Sequence, residues 1–349
     1  MKKLYSLITL VILLTVAFKA SAQDDGISNL FKGSPSDVNK LINAYANPLF
    51  KGFGNSLNGG WTNTAKTLAP LKFNLRVSAT ASIISDADKN FNISSLGLAN
   101  ITPTGSPIAP TFGGADNVSP GIKFTDPNNS ANSYNTSLPK GVTQYVPAPQ
   151  IQLTVGIIKN TDFTVRFIPT TKITDDVGSV GMFGLGIKHS ISQYFGKAAP
   201  FDLAVAVGYT NLKYKKTLNV RPDANNGGTA GSQDYSNQGL EGNFSGWNTQ
   251  VIISKKLLFF TPFVSVGYLS SKTDVGLKGN FPFVTGVNNA KQPIYTTYAN
   301  PINISGSSSS VSGARADVGL QLSLAFFKIY GSYSFAEYKS FNGGIGLGF

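Results

Sequence analysis

The chain has 349 residues, no cysteine, one histidine and a formal net charge of +12. The lack of cysteine excludes disulfides, thiolate zinc sites and cysteine nucleophiles, and the lone His189 leaves little material for a Ser/His/Asp arrangement. The basic charge favours anionic surroundings such as lipopolysaccharide phosphates, but the lysines form no basic run, so no nucleic-acid partner is expected.

The first 22 residues have the pattern of a secretory signal peptide. Two lysines precede an apolar run at residues 4–18, and Ala-Ser-Ala at residues 20–22 offers a small-residue cleavage site. A membrane anchor is the alternative, but the apolar run is short for a membrane-spanning helix. We therefore predict export, with residues 1–22 removed, and no helical anchor thereafter.

An amphipathic helix is predicted for residues 37–47. Its apolar residues recur at helical spacing, and Ser36 or Asp37 would cap its start. We expect it to end before Pro48, with the glycines of residues 52–60 forming a bending connection to the first strand.

From residue 71 onward, apolar and polar residues alternate with a period of two, which is typical of β-strands. In "LKFNLRVSATASII" (71–84) the apolar residues lie on one face, with Lys72 and Arg76 on the other. Nine further segments follow this pattern, at residues 150–157, 162–168, 182–188, 201–210, 247–254, 262–270, 314–327, 329–335 and 341–349. The sequence predicts an all-β protein of about ten strands, with a range of eight to fourteen.

The lengths of the connections favour a closed transmembrane barrel. Every second connection is short, whereas most of the others are long, as at 85–143, 216–240 and 274–311. Outer-membrane barrels sort their loops in this way, with short turns in the periplasm and long loops outside. The apolar faces would then meet lipid, because Lys72 and Arg76 would each cost roughly 2 to 4 kcal/mol near the bilayer midplane. A soluble secreted β protein is the less favoured alternative.

The last residues carry a resemblance to a known class. "GGIGLGF" alternates Ile345, Leu347 and Phe349 up to an aromatic carboxyl terminus, and it resembles the terminal signature of bacterial outer-membrane β-barrels. That resemblance implies the Gram-negative outer membrane as the location and the barrel-assembly machinery as a partner.

"NPLFKGFGNSLNGGWTNTAK" (47–66) resembles an uncharacterised family of barrels from Bacteroidota-type envelopes. An amino-terminal helical segment before a barrel is similar in plan to the FadL-type transporters of hydrophobic compounds. Those barrels usually have fourteen strands and an Asn-Pro-Ala type hatch, whereas Asn47-Pro48 continues with Leu49 here. No ligand residues are therefore carried over.

Side chains that face the lumen are the candidates for a functional site. By strand parity, the charged ones are Lys72, Arg76, Arg166, Lys188, Asp202, Arg315 and Asp317. Their excess of cations would favour anionic solutes, but cross-strand pairing of buried charges is the competing interpretation.

Small lumen-facing residues leave room for the predicted helix. Runs of alanine and glycine at 204–208, 184–186 and 344–348 would give a smooth inner wall. The helix would then act as a plug through Leu41, Ile42, Tyr45, Phe50 and Phe53. The alternative is that the helix rests beneath the barrel or on the membrane surface.

Together these patterns predict three regions: a signal peptide (1–22), an amino-terminal helical segment (23–66) and an outer-membrane barrel (67–349). The favoured function is the passage or binding of small molecules, among them amphipathic or anionic ones, with lipid and lipopolysaccharide around the barrel. The alternative is a structural or surface protein whose long outer loops contact partners. No enzymatic activity, cofactor or metal is expected, because no HExxH, Walker A or paired-cysteine motif occurs.

Overall fold

The computed structural model describes residues 29–31, 33–175, 178–195, 200–223, 233–305 and 310–348. The predicted signal peptide and Phe349 lie outside the described residues. Among the described residues, no helix is long and apolar enough to cross a membrane.

Ten strands form a single closed antiparallel barrel, so the prediction of an all-β barrel with about ten strands is confirmed. Strands are numbered in chain order, including those in loops. The wall consists of β1 (Phe73–Ile83), β7 (Tyr145–Ile158), β8 (Thr161–Thr174), β9 (Gly178–Ser190), β10 (Asp202–Thr217), β11 (Gly239–Ser254), β12 (Phe260–Lys278), β16 (Ser312–Leu324), β17 (Phe327–Phe335) and β18 (Ser340–Gly348). Each wall strand pairs with its neighbour in the chain, and β18 pairs with β1 to close the sheet.

The two ends of the barrel differ in the length of their connections. At the short-turn end, where β1 begins and β18 ends, neighbouring strands are joined by segments such as 159–160, 255–259 and 325–326. The long-loop end carries eight further strands: β2 (Asn90–Asn92), β3 (Ile101–Pro103), β4 (Ile108–Pro110), β5 (Gly121–Thr125), β6 (Ser133–Ser137), β13 (Asn280–Val287), β14 (Pro293–Ala299) and β15 (Asn303–Ser305). Short 3-10 turns lie at Asn29–Phe31, Asp86–Asp88, Ile93–Leu96 and Ser192–Phe195.

The orientation of the wall side chains is the inverse of that in a soluble protein. Outward-facing residues are apolar and accessible, with Phe167 54%, Val266 57% and Leu153 41% exposed, whereas the inward-facing Thr80 and Arg166 are fully buried. Exposing such a continuous apolar belt to water would cost about 25 cal/mol per Å² of apolar surface. A lipid bilayer covers it without that cost, and closure leaves no unpaired sheet edge.

The helix differs from its prediction at both ends. Helix α1 spans Pro35–Leu57, and its cap is Ser34, whose hydroxyl accepts a hydrogen bond from the Asp37 N–H at 3.2 Å. Ser36 and Asp37, the two predicted caps, both lie inside the helix. The Asp37 carboxylate accepts a hydrogen bond from the backbone N–H of Ala99 instead. Pro48 lies inside the helix rather than after it. The surrounding protein packs against both halves of α1, and this packing outweighs the one backbone hydrogen bond that the proline removes.

Two predicted linker glycines are helical and let α1 approach the wall. A Cβ added to Gly52 would lie 2.6 Å from Val146 Cγ2, and one added to Gly54 would collide with Ser271. The bending connection is therefore confined to Asn58, Gly59 and Gly60, and Gly60 has a φ of +64° that suits glycine.

The amino-terminal segment passes through the barrel from one end to the other. Phe31 stacks on Phe281 of the long-loop end, with ring centroids 5.5 Å apart. Helix α1 then descends into the lumen, and Leu68 reaches the short-turn end, where its N–H donates to Asp162 at 2.8 Å. Strand β1 begins there, so the wall closes around a segment that precedes it in the chain.

A compact cap covers the long-loop end. We use "the cap" for β2–β6, β13–β15 and the first half of α1 (35–46). Its apolar core joins Leu41 and Tyr45 of α1 to loop residues such as Ile122, Phe124 and Val284. Two loops are fastened together by Asp126, whose carboxylate accepts from Val287 N–H at 2.6 Å and from Asn128 N–H at 2.7 Å. The cap is thus a folded unit built on the helix.

Candidate functional site

The lumen of the barrel is filled by residues 54–68, which we call the lumen segment. Its upper part is hydrogen-bonded to β1 and β7: the Ser56 hydroxyl lies 2.7 Å from Ser82 Oγ and 2.7 Å from the Val146 carbonyl oxygen. Lower down, Thr62 Oγ1 donates to Gln250 at 2.6 Å, and Ala65 N–H donates to Ser254 at 2.9 Å. Polar wall residues therefore bind this segment along its length.

Arg166 of β8 holds the point where α1 ends. Its guanidinium donates to the carbonyl oxygens of Leu57 at 2.9 Å and Gly59 at 2.7 Å, and to Gln152 Oε1 at 3.0 Å. A cation is favoured there because the last carbonyl groups of a helix are unsatisfied and carry partial negative charge. Arg166 also lies over the indole of Trp61, 3.7 Å from the ring centroid.

Trp61 is the largest side chain in the lower lumen, and glycines in the wall make room for it. A Cβ added to Gly186 of β9 would lie 2.6 Å from the indole, and one added to Gly208 of β10 would collide with it. The predicted smooth wall at these positions thus receives an aromatic ring. The helical segment named in the prediction lies above it.

Arg76 and Lys188 bind the segment in the same manner as Arg166. Arg76 donates to the Gly60 carbonyl and to Gln152 Oε1, the latter at 2.8 Å. Lys188 donates to the carbonyl of Lys66 at 2.9 Å and forms an ion pair of 3.0 Å with Asp162. Three buried cations therefore donate to backbone carbonyls of this same chain.

Arg315 and Asp317 form a buried pair on the opposite wall. Arg315 Nε donates to Asp317 Oδ1 at 2.7 Å, and its guanidinium also donates to Ser334 at 2.6 Å. Ser265 donates to the other carboxylate oxygen at 2.7 Å. The ion pair lies within β16, two residues apart on one face, and its hydrogen bonds to Ser265 and Ser334 link β16 to β12 and β17.

Two of the predicted lumen charges lie at the margin. Lys72 precedes β1 and is exposed, because Leu71 adopts a left-handed conformation (φ +66°) and the strand begins only at Phe73. Lys72 therefore lies just outside the strand, and its lumen-facing role stays a prediction. Asp202 is the first residue of β10, at the short-turn end, and is half-buried.

The predicted plug residues divide into two groups. Phe50 and Phe53 lie within the barrel, where they pack near Phe244 of β11 at centroid distances of 6.2 and 5.3 Å. Leu41 and Tyr45 instead pack in the cap, and Ile42 touches the apolar clusters of both regions. Of the predicted assembly residues, Ile345 and Leu347 face outward, 44% and 43% exposed.

The sequence analysis missed most of the groups that fill the lumen. Trp61 and the carbonyl groups of residues 57–66 are bound by the wall, yet they lie after the segment that was predicted to be the plug. A usable signal was the single tryptophan ahead of the first strand, in a stretch of small polar residues. The space left beside Trp61 is a cavity of about 10 Å³ lined by Thr62, Lys188 and Gln250, which is room for one water molecule.

Structural comparison finds outer-membrane barrels at low similarity. The translocator domain of the autotransporter NalP from Neisseria meningitidis aligns with 9% identity and a TM-score of 0.28, covering 84% of this chain and 90% of that chain. Ail from Yersinia pestis, in complex with a heparin analogue, gives 8% identity and a TM-score of 0.24, covering 79% and 97%. The Pseudomonas putida toluene transporter TodX aligns with 10% identity and a TM-score of 0.24, covering 82% of this chain and 69% of that chain.

All three alignments have TM-scores below 0.3 and identities of 10% or less. A comparison with curated protein sequences gives no match. A family model matches residues 1–349 throughout, and the chain belongs to that family, a family of unknown function (DUF6588).

Proposed function

We propose that this protein is a sealed, non-enzymatic outer-membrane barrel that anchors the cap at the cell surface, where the cap contacts partners. The observation that carries the proposal is the filled lumen, in which Arg76, Arg166 and Lys188 donate to the backbone of the lumen segment. Cations that are already engaged in this way are not available to select a passing anion.

The energetics of the lumen support a stable seal. A hydrogen bond to a charged group contributes about 1.5 to 3 kcal/mol, and withdrawing the segment would leave three buried cations without these partners. Opening would also break the contact between the Trp61 indole and the Arg166 guanidinium. Several such interactions act together, so spontaneous opening is rare.

The cap supports the second half of the proposal. An unstructured set of loops would suffice to close a barrel, whereas this cap has its own apolar core, and Asp126 fastens two of its loops together. We place the cap outside the cell, with the short turns in the periplasm. Lipopolysaccharide would surround its base, and the barrel-assembly machinery would insert the wall. A membrane-anchored, folded surface is suited to binding other macromolecules.

Single-channel recording in planar bilayers tests the seal. The refolded full-length protein is expected to insert without conductance steps. A Trp61→Ala/Arg166→Ala variant, which loses the contact that closes the lower lumen, is expected to conduct. Resistance of the inserted protein to carbonate extraction serves as the control for insertion in both cases.

The alternative function, passage of small anionic or amphipathic molecules through the lumen, predicts the opposite result. Ion-selective steps from the full-length protein, without any substitution, would support passage and contradict the sealed barrel. A silent full-length protein beside a conducting variant would support the seal.

A further inference from the structure

The barrel wall has a seam between β7 and β8. The two strands pair from Ile158 and Thr161 up to Gln152 and Arg166, and no further. Above that point β7 still pairs with β1 as far as Tyr145, and β8 still pairs with β9. Both strands are described in full, and continuing their register places residues 145–151 opposite residues 167–173 without a hydrogen-bonded ladder. We call this stretch the seam.

The direction of the backbone groups in β7 follows from its ends. Gly156 N–H donates to the Lys72 carbonyl, and the Gln144 carbonyl accepts from Ile84 N–H. Even-numbered residues of β7 therefore point their backbone groups at the strand β1. Because these groups alternate along an antiparallel strand, odd-numbered residues point theirs at β8.

Prolines occupy three of the odd-numbered positions at the seam, at residues 147, 149 and 169. Pro147 and Pro149 have no N–H, and continuing the observed register would place Pro149 opposite Pro169 of β8. Neither proline of that pair can donate, so the ladder cannot continue there. The seam is a consequence of the sequence.

Outside, the seam opens onto the apolar belt of the wall. Leu153 and Phe167, which flank its lower end, are 41% and 54% exposed and face outward. Inside, the seam leads to apolar residues, among them Ala148 of β7 and Ile168 of β8. This region contrasts with the lower lumen, where the inward-facing residues are polar.

Helix α1 presents an apolar stripe behind the seam. The stripe consists of Ile42, Ala46, Leu49 and Phe53, which lie on one face of the helix and pack against the same interior cluster as Ala148 and Ile168. These residues stay partly exposed, although neighbouring residues such as Phe50 are buried. An apolar surface that is partly accessible and packs against the same interior cluster as both seam strands favours a hydrocarbon occupant.

We propose that an acyl chain of a membrane lipid enters through the seam and packs against the α1 stripe. A linear chain fits because it is narrow, apolar along its length and already present at the outer mouth of the seam. The lipid headgroup remains outside the wall. The inference goes beyond the sealed barrel and does not depend on it, because the lower lumen stays closed whether or not the seam is occupied.

Photo-crosslinking tests the proposal. The full-length protein is refolded into phosphatidylcholine vesicles in which a fraction of the lipid carries a diazirine on one acyl chain, irradiated, and digested with trypsin. Adducts are expected on the peptides 41–51 and 52–66, which contain Leu49 and Phe53, as well as on outward-facing wall peptides. Absence of adducts on both α1 peptides, beside normal wall labelling, would overturn the proposal.

Restoring the missing donors provides the decisive variant. In Pro149→Val/Pro169→Val the ladder can continue across the seam, and two new backbone hydrogen bonds should lower α1 labelling by about tenfold or more. Labelling of the outward-facing peptides should not change. Pro262→Val, in the paired strand β12, is the matched control and should label as the unmodified protein does. Equal α1 labelling in the double variant and the control would overturn the proposal.

Two further arms keep the result interpretable. Ala46→Trp should block the stripe and reduce labelling of Leu49 even if the double proline variant fails to fold. Diazirine-bearing palmitate added from water identifies the source of the chain. Labelling of α1 by this fatty acid but not by the phospholipid would contradict a membrane-lipid occupant.

Discussion

The two halves of the amino-terminal segment are held by different chemistry. In the cap, α1 is fixed by apolar packing through Leu41 and Tyr45. In the lumen, residues after Leu57 are fixed by hydrogen bonds from Arg76, Arg166 and Lys188. Apolar packing tolerates substitution by other apolar residues, whereas a buried cation that binds a carbonyl oxygen has few substitutes. The comparison indicates that the cap can vary while the seal stays fixed, and that each half can be loosened separately.

The largest expected effect is in the cap. Leu41→Ala removes a fully buried side chain and should lower the free energy of cap opening by about 3 kcal/mol. Hydrogen exchange at Ile122 and Val284 measures this opening. Ile108→Ala, at a cap residue that is 47% exposed, is the control and should have little effect. Equal acceleration of exchange at Gly59 would show that the two halves are not independent.

The matching substitution in the lumen is Arg166→Met, which keeps an unbranched apolar stem and removes the guanidinium. Two carbonyl oxygens lose a charged donor, so the free energy of opening at this point should fall by about 2 kcal/mol. Hydrogen exchange of the Gly59 and Trp61 amides should accelerate accordingly. The cap amides should be unaffected. Arg221→Met, at an exposed arginine of the long-loop end, is the control. Equal protection of the Gly59 amide in both variants would contradict a role for Arg166 in holding the end of α1.

A smaller effect is expected at the start of α1. Ser34→Ala removes the capping hydroxyl and should destabilise the first turn by about 1 kcal/mol. Ser36→Ala is the matched control, since Ser36 is exposed and does not cap the helix. Exchange of the Asp37 and Val38 amides distinguishes the two. A larger effect for Ser36 would contradict the observed cap.

Acid should loosen the cap. Backbone N–H groups, first that of Val287 and then that of Asn128, lower the pKa of Asp126 below its ordinary value of 3.8. The ionised carboxylate therefore stabilises the cap above pH 3.8, and this contribution is lost as the pH falls through the lowered pKa. Protease cleavage between residues 126 and 132 should therefore increase as the pH falls through the lowered pKa of Asp126. In Asp126→Asn, cleavage should already be fast at neutral pH and depend little on pH in this range.

The sequence predicts the wall far better than the interior. Period-two alternation is local, so the strands, their outward faces and the inward direction of Arg76, Arg166 and Lys188 follow from parity. The extent of α1 does not, because Pro48 and Gly52 oppose a helix unless the surroundings enclose it. The partners of the buried cations also escape prediction. They are backbone carbonyls, which leave no mark on the sequence.

The path of the chain is the remaining gap between sequence and structure. Nothing local to residues 29–68 indicates that they enter at the long-loop end and leave at the short-turn end. That path is fixed by contacts between distant residues, such as Phe31 with Phe281 and Leu68 with Asp162. The start of β1 differs from the prediction for a related reason, since the left-handed Leu71 delays it to Phe73.

Cysteine pairing tests the occupied lumen most directly, because the native chain has no cysteine. The hydroxyl oxygens of Thr64 and Ser254 lie 3.2 Å apart, so Thr64→Cys with Ser254→Cys should form a disulfide after mild oxidation of the protein in bilayers. The account predicts one cross-linked species, detected by mass, that resists labelling with maleimide. Two free thiols that react fully with maleimide would show that the segment lies outside the lumen and would contradict the sealed barrel.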